Sequence, residues 1–190
     1  MRVIAGKYRS RPLQSLRGMD IRPTSDRLRE TLFNVLSAGN PEALVGTVWL
    51  DLFAGAGAVG IEALSRGARQ VYFVESSAAA AEAIRRNLKS LGIGDSFRIV
   101  QQQLPSALRG LRGSVSADVV FLDPPYRMDK EYGRTLEALV QLTLIRPTSV
   151  VIAEHEKKFD PGEAFGSLIR FRILEQGSAA LSFYRLGERE

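Results

Sequence analysis

Short apolar strands alternate with amphipathic helices from residue 47 onward, and this alternation constrains the fold more than any other feature. Strands are predicted at 47–53, 70–75, 97–101, 118–123 and 149–154. Helices are predicted in the intervals, at 58–66, 78–91, 105–111 and 130–142. Successive strand–helix–strand units build a parallel sheet with helices on both faces. The sequence therefore predicts an α/β fold.

The two ends of the chain depart from this alternation. Two β-rich runs at 168–174 and 179–186 flank a short turn that contains Gly177, which predicts an antiparallel hairpin at one edge of the sheet. At the other end, apolar and basic residues interleave over 2–14 without helical spacing, which indicates a short strand or hairpin. A helix is expected to begin at Thr24 or Ser25, because either side chain can cap its first turn. We therefore divide the chain into an extension over 1–24 and a domain over 25–190.

The excess positive charge of the chain lies in its first thirty residues. The net charge is +5, and residues 1–30 carry eight basic and three acidic side chains, so the remainder is balanced. Clustered cations can bind the phosphate backbone of a nucleic acid through Coulomb attraction and counterion release, although a solubilising tail has the same composition. The candidate residues for contact with a nucleic-acid backbone are Arg2, Lys7, Arg9, Arg11, Arg22 and Arg27.

The composition excludes several kinds of site. The chain contains no cysteine, so disulfides, thiolate metal sites and cysteine nucleophiles are excluded. The single histidine, His155, lies between two acids whose side chains point to the opposite strand face, so we expect a partly exposed strand end and no metal site. No apolar run reaches the roughly 18 residues of a membrane span, and no secretory signal is apparent. A monomeric, cytoplasmic protein is expected.

A glycine-rich loop follows the first strand of the alternation. Gly55, Gly57 and Gly60 match the dinucleotide fingerprint, and Glu75 ends the next strand, where an acid can accept hydrogen bonds from ribose hydroxyls. Asp51 precedes the loop, and its carboxylate would repel a pyrophosphate but attract the ammonium and sulfonium of S-adenosylmethionine. This loop therefore favours S-adenosylmethionine and leaves NAD as the alternative.

Further cofactor contacts are expected at the ends of neighbouring strands. Gln103 follows the third strand, where its carbonyl oxygen could accept from the adenine amino group, with the Leu104 amide facing a ring nitrogen. The candidate cofactor-binding residues are Asp51, Phe53, Ala54, Gly55, Gly57, Glu75, Ser76, Gln103, Leu104 and Asp123.

Asp123, Pro124, Pro125 and Tyr126 end the fourth strand and form the candidate catalytic tetrapeptide. The lone pair of an exocyclic amine is delocalised into its ring, so a site must hold hydrogen-bond acceptors against the N–H groups. The Asp123 carboxylate and the Pro124 carbonyl are such acceptors, and Tyr126 offers a face on which a flipped base can stack. Methylation of a pyrimidine ring carbon normally requires a cysteine, so the predicted target is a nitrogen.

Four segments together resemble the RsmD-type bacterial 16S ribosomal RNA guanine-N2 methyltransferases, and they span nearly the whole chain. They are the opening residues 1–8, the Arg-Pro-Thr segment 22–30, the glycine-loop segment 51–68 and the tetrapeptide 123–126. Two positions depart from the family pattern: Ala56, where serine is common, and Gln103, where Asp or Asn is common.

The resemblance implies a Rossmann-like class I methyltransferase fold, with a mostly parallel seven-stranded sheet and a basic N-terminal extension that binds RNA. It implies that S-adenosylmethionine is converted to S-adenosylhomocysteine and that a guanine N2 in 16S rRNA of the small ribosomal subunit is methylated. It also implies that the turn at Arg22 closes over the methionine end of the cofactor, with Thr24 hydrogen-bonding the cofactor's carboxylate.

Three alternatives remain from the residues alone. The tetrapeptide also occurs in adenine-N6 and protein-amide methyltransferases. The glycine loop is compatible with an NAD(P)-dependent oxidoreductase, and the basic extension with a non-catalytic RNA-binding module.

Overall fold

A computed structural model of the protein describes residues 1–15, 24–125 and 128–187. The helices are α1 (Asp26–Leu36), α2 (Ala58–Ser65), α3 (Ala78–Leu91), α4 (Ser106–Leu111) and α5 (Asp129–Gln141). The strands are β1 (Val48–Leu52), β2 (Gln70–Val74), β3 (Phe97–Val100), β4 (Ala117–Leu122), β5 (Ile145–Glu156), β6 (Ala164–Phe165), β7 (Leu168–Gln176) and β8 (Ala179–Leu186). Within these ranges, no helix combines the length and the apolar character that crossing a bilayer requires.

The strands form one sheet in the order β3-β2-β1-β4-β5-β8-β7-β6. Strands β1 to β5 are parallel, whereas β8 pairs antiparallel with both β5 and β7. The predicted Rossmann-like α/β fold, with its mostly parallel sheet and antiparallel C-terminal hairpin, is confirmed. The sheet has eight described strands where seven were predicted, because β6 has two residues and is too short to show an alternating pattern.

Strand β5 begins at Ile145, earlier than the predicted start at 149. Its register against β4 shifts after Ala117, and Pro147, which has no N–H to donate, lies in this irregular stretch. The Ser149 hydroxyl bridges the irregularity, because it donates to the Ala117 carbonyl at 2.6 Å and accepts from the Arg146 amide at 2.9 Å. The continuous apolar run of β5 begins only after Ser149, which explains the late predicted start.

Alternate residues of the central strands enter two cores on opposite faces of the sheet. Trp49 of β1 enters the first core and stacks on Phe33 of α1 with ring centroids 5.4 Å apart. Leu50 enters the second core beneath α4 and α5. Burial on both faces leaves the strand ends as the places where polar side chains can reach a ligand.

Helix α1 begins where the sequence indicates. The Ser25 hydroxyl accepts from the Leu28 amide at 3.1 Å, so Ser25 is the residue that caps the helix. Leu28 and Leu32 are buried on the apolar face of the helix.

The first fifteen residues lie along α2 and α3. One antiparallel bridge joins Arg2 to Pro12, so the predicted strand or hairpin is reduced to a single pairing. The amides of Ile4 and Ala5 donate to the Glu62 carboxylate of α2 at 2.7 and 2.9 Å. The Gln14 amide donates to Asn87 of α3 at 2.8 Å, and Val3 and Leu13 are buried in the first core. Backbone hydrogen bonds therefore fix this segment to the domain and leave its basic side chains free to face outward.

Candidate active site

A cavity of about 470 Å³ lies at the carboxyl ends of β1, β2 and β4. Such an edge is where open α/β sheets bind ligands, and the volume is that of a small-molecule site. The predicted residues that line it are Thr24, Asp51, Phe53, Ala54, Gly55, Glu75, Ser76, Gln103, Leu104, Asp123, Pro124 and Pro125. The structure thus places the predicted cofactor loop and most of the catalytic tetrapeptide around one space.

Two of the predicted cofactor-binding and catalytic residues, Gly57 and Tyr126, are not among the described lining residues. Gly57 starts α2 with a positive φ of 79°, and a Cβ there would lie 3.2 Å from Phe73 and Ile84. It shapes the loop from the core side, because only glycine combines that backbone with so little room. Arg22 and Tyr126 fall outside the described residues.

Asp51 is buried at the end of β1 and connects that strand to α2. Its carboxylate accepts from the Gly60 amide at 2.9 Å. Burial raises the pKa of Asp51 to about 7, the Gly60 hydrogen bond opposes the shift, and repulsion by Glu75 adds to it. A cation in the cavity would favour the ionised form of this acid.

Glu75 holds the glycine loop from the neighbouring strand. One carboxylate oxygen accepts from the Gly55 amide at 2.9 Å and the other from the Ser77 amide at 2.8 Å. A carboxylate has about four acceptor positions, so both oxygens can still accept from hydroxyl groups. The predicted contact of Glu75 with ribose hydroxyls is compatible with this arrangement and stays a prediction.

Asp123 follows β4 and lies beside another acid. Leu122 pairs with Ala153 across β4 and β5, so the next residues, Asp123 and Glu154, are neighbours at the sheet edge. Burial raises the pKa of Asp123 well above its usual value, and repulsion by Glu154 and then Asp51 raises it further. A raised pKa makes the ionised carboxylate a stronger base than a carboxylate in water.

The sequence analysis missed Glu154, which is buried and accepts from the Thr24 hydroxyl at 2.6 Å. It also missed three residues at the start of α5, because nothing in the helical pattern links them to the cavity: Met128, Glu131 and Arg134 line the same space. Arg134 forms an ion pair with Glu131 at 3.1 Å. The sequence did contain a signal for Glu154, because the predicted strands 118–123 and 149–154 both end in an acid. The carboxyl ends of neighbouring parallel strands lie at the same edge of a sheet, so the two acids could be expected to lie close together.

The charges around the cavity are mainly negative. Among its described lining residues, four are acidic, namely Asp51, Glu75, Asp123 and Glu131, and one is basic, Arg134, whose side chain is 63% exposed and paired. A negative cavity attracts an ammonium or a sulfonium and repels a pyrophosphate.

His155 is buried, so the expectation of a partly exposed strand end is wrong. Its ring lies 2.9 Å from the Ser182 hydroxyl and 2.9 Å from the Glu156 carbonyl. The antiparallel pairing of β8 with β5 covers this position, and burial lowers the pKa of the ring. His155 packs in the sheet and does not line the cavity.

The candidate RNA-contacting residues in the described part of the chain lie at the surface. Lys7, Arg9 and Arg27 are exposed, and Arg2 is 68% exposed with Asp26 3.9 Å away. The exposed Arg11 donates to the Ser90 carbonyl at 2.9 Å. Arg29 differs, because it is fully buried and paired with Asp26.

Residues 1–185 match the family described as "Conserved hypothetical protein 95". The chain belongs to this family. It is 34% identical to "Ribosomal RNA small subunit methyltransferase D" of Haemophilus influenzae, with 83% of this chain and 79% of that protein aligned. It is 32% identical to "Putative rRNA methyltransferase YlbH" of Bacillus subtilis, over 97% of this chain and 98% of that one. The predicted RsmD-type resemblance is confirmed.

A solved structure that resembles this chain supports the fold. "Putative methyltransferase yhhF" from Escherichia coli superposes on this chain with a TM-score of 0.82 at 29% identity, and the match covers 100% of this chain and 99% of that one. The two chains therefore share one fold over nearly their whole length.

Proposed function

We propose that this chain transfers a methyl group from S-adenosylmethionine to the exocyclic N2 of a guanine in 16S ribosomal RNA. The observation that carries the proposal is the convergence of two sites on one cavity. The glycine loop after β1 and the acceptors Asp123 and Pro124 after β4 line the same space. Family members named as ribosomal RNA methyltransferases support RNA as the substrate.

The cavity suits the cofactor in charge as well as in size. S-adenosylmethionine supplies a methyl group activated by a sulfonium, and it carries no phosphate. Asp51 and Asp123 provide negative charge, Glu75 provides acceptors for ribose hydroxyls, and Gln103 with Leu104 lies where adenine is expected. A dinucleotide would bring its pyrophosphate beside Asp51 and Glu75, which disfavours an NAD(P)-dependent oxidoreductase.

The residues after β4 prepare the amine. The Asp123 carboxylate and the Pro124 carbonyl accept its two N–H groups, which directs the nitrogen lone pair toward the methyl group. After transfer, the nitrogen must lose one proton, which the Asp123 carboxylate can take when it is ionised or which can pass to bulk water. Pro124 has no N–H and a fixed φ, so it presents its carbonyl on stiff backbone. Base stacking on Tyr126 stays a prediction.

The guanine assignment follows from the family resemblance, and adenine-N6 or protein-amide transfer is the alternative within the same chemistry. We expect the substrate to be 16S rRNA, free or in the small subunit, and we expect the enzyme to act in the cytoplasm as a monomer without a metal.

The experiment is transfer of tritium from labelled cofactor into rRNA and small subunits, followed by nucleoside analysis. We expect label in N2-methylguanosine and a higher melting temperature with S-adenosylhomocysteine but not with NAD, because a ligand of the folded state alone stabilises it. Label in N6-methyladenosine would contradict the base assignment. Stabilisation by NAD but not by S-adenosylhomocysteine would contradict the proposed methyl transfer.

The basic extension yields a second prediction. Replacing Lys7 and Arg9 by alanine removes two exposed cations and is expected to weaken RNA binding and to reduce the slope of log affinity against log salt by roughly 0.7–0.9 per cation lost. Binding titrations over a range of salt concentrations measure the slope. The matched control replaces Arg109 and Arg112, which are exposed at α4 on the opposite face of the sheet. Equal losses in both variants would show that the extension has no special role.

A further inference from the structure

Strand β7 carries a cluster of exposed apolar side chains. Of the five large apolar residues that are exposed in the described part of the chain, three lie on this strand: Ile169, Phe171 and Ile173, which are 43%, 47% and 47% exposed. Strand β7 lies beyond β8 near the end of the sheet, and the short β6 reaches only its first residues. Clustered apolar exposure on an outer strand is a hazard for a soluble protein and indicates a contact surface.

A β-bulge sets the direction of Phe171. Arg170 of β7 pairs with Tyr184 of β8, and the next paired residue of β7 is Arg172, opposite Phe183. Phe171 is therefore the extra residue of a bulge, a feature that redirects a side chain. Its ring centroid lies 6.3 Å from that of Phe183, which is buried in the first core. Phe171 thus lies on the same face of the sheet as α1 and the N-terminal segment.

Two exposed arginines lie beside these rings. The guanidinium carbon of Arg185 lies 5.3 Å from the ring centroid of Phe171. The guanidinium carbon of Arg172 lies 5.9 Å from the ring centroid of Phe183. Ile169 pairs with Arg185 across β7 and β8, so its side chain lies on the same face. We call four of these residues the hairpin patch: Ile169, Phe171, Arg172 and Arg185.

The hairpin patch is positively charged, because the acids of the hairpin pair with other cations. Arg170, on the opposite face, is paired with Asp160, and Lys157 is paired with Glu175. Among the residues that the structure describes, no acid forms an ion pair with either arginine of the patch. An isologous contact between two copies of the chain would bring these cations against each other, which disfavours a second copy as the occupant.

An unpaired nucleotide is complementary to this combination of groups. Single-stranded RNA is bound by aromatic rings and guanidinium planes on which bases stack, together with cations that hold the phosphates. The hairpin patch offers one half-exposed ring, an apolar neighbour and two cations within one small area. A base inside a duplex is already stacked on both sides, so the patch suits an unpaired base.

We propose that the hairpin patch is a second RNA-contact surface, on which an unpaired base stacks on Phe171 while Arg172 and Arg185 hold the adjoining phosphates. This inference rests on the proposed rRNA substrate and adds a contact outside the cavity. The patch and the N-terminal segment lie on one face of the sheet, so one RNA can reach both. Strands β5 and β8 separate β7 from β4, so the patch contributes RNA affinity and takes no part in the chemistry at Asp123.

The test measures binding of the full chain to labelled oligoadenylate, either single-stranded or paired with its complement, and the kinetics of methyl transfer to 16S rRNA. We expect Phe171→Ala to weaken binding of the single strand about tenfold, which is the usual contribution of one stacked base, and to weaken the duplex much less. The KM for rRNA should rise by a similar factor. The kcat and the affinity for S-adenosylhomocysteine should stay at their wild-type values.

Matched variants separate binding from folding. Phe171→Tyr keeps the ring and is expected to retain the affinity for the single strand. Ile173→Ala removes an equally exposed side chain of β7 that pairs opposite Ser182 on the other face, and it should change no affinity. Replacing Arg172 and Arg185 by glutamine should lower the slope of log affinity against log salt by roughly 0.7 per cation lost.

Two results would overturn the inference. If Phe171→Ala and Ile173→Ala have the same effect on RNA binding, the ring of Phe171 is not a stacking surface. If Phe171→Ala leaves RNA binding unchanged but converts a dimer to a monomer in sedimentation, a second copy of the chain occupies the patch. A wild-type chain that binds and methylates no rRNA would instead contradict the proposed function, so the two failures are distinguishable.

Discussion

Replacing Asp123 by alanine is expected to lower the rate of methyl transfer by about 10³-fold or more and to weaken S-adenosylhomocysteine much less than that, because Asp51, Glu75 and the glycine loop remain in the cavity. The substitution removes the acceptor that holds the amine and the candidate acceptor of its proton. Because Asp123 is buried beside two other acids, removal of its carboxyl group should not lower the stability of the folded chain. Initial rates on rRNA and calorimetric titration measure the two effects.

Asp123→Asn distinguishes the two roles of this carboxylate. Its amide oxygen still accepts a hydrogen bond but is a poor proton acceptor, so partial activity would indicate orientation and near-complete loss would indicate proton removal. Asp95→Ala, an exposed acid between α3 and β3, is the matched control and should retain full activity. A loss of cofactor affinity in Asp123→Ala as large as the loss of rate would contradict the proposed role and would indicate that this residue supports the cavity.

Local features of the sequence predicted most of the fold. Helix α3 occupies its predicted range, 78–91, because its apolar face is regular and Ser77 caps it. Ser25 was also recognisable as a helix cap, because its hydroxyl accepts a hydrogen bond from an amide only three residues away in the sequence. The glycine loop and the tetrapeptide could be placed at one edge because the carboxyl ends of parallel strands all lie there.

Features that depend on distant residues were not predictable in this way. The contact of Thr24 with Glu154 depends on how the segment before α1 returns to the sheet, and no local pattern encodes that return. The burial of His155 depends on β8, which pairs beside β5 from a later part of the chain. The pKa of Asp123 is raised by an acid that only the strand order brings near.

Gly60→Ala is expected to destabilise the protein more than other single glycine substitutions in its helices. Gly60 lies in α2, and a Cβ there would lie 2.4 Å from Phe73, 2.8 Å from Val71 and 2.9 Å from the Asp51 carboxylate. Overpacking of a core typically costs about 1–3 kcal/mol and sometimes more, and alanine's better helix propensity returns about 1 kcal/mol at most. Because 1 kcal/mol corresponds to roughly 2–4 °C for a chain of this size, calorimetry should show a Tm lower by several degrees.

The same substitution should also weaken cofactor binding, because α2 cannot move away from Phe73 without breaking the bond from the Gly60 amide to Asp51. Gly110→Ala is the matched control: Gly110 lies in α4, and a Cβ there meets no heavy atom within 4 Å. Since that site is open, alanine should leave Tm unchanged or raise it slightly. Equal Tm values for the two variants would mean that α2 can shift without loss of stability. In that case the close packing of α2 that holds Asp51 at the cavity would not determine the shape of the cofactor loop.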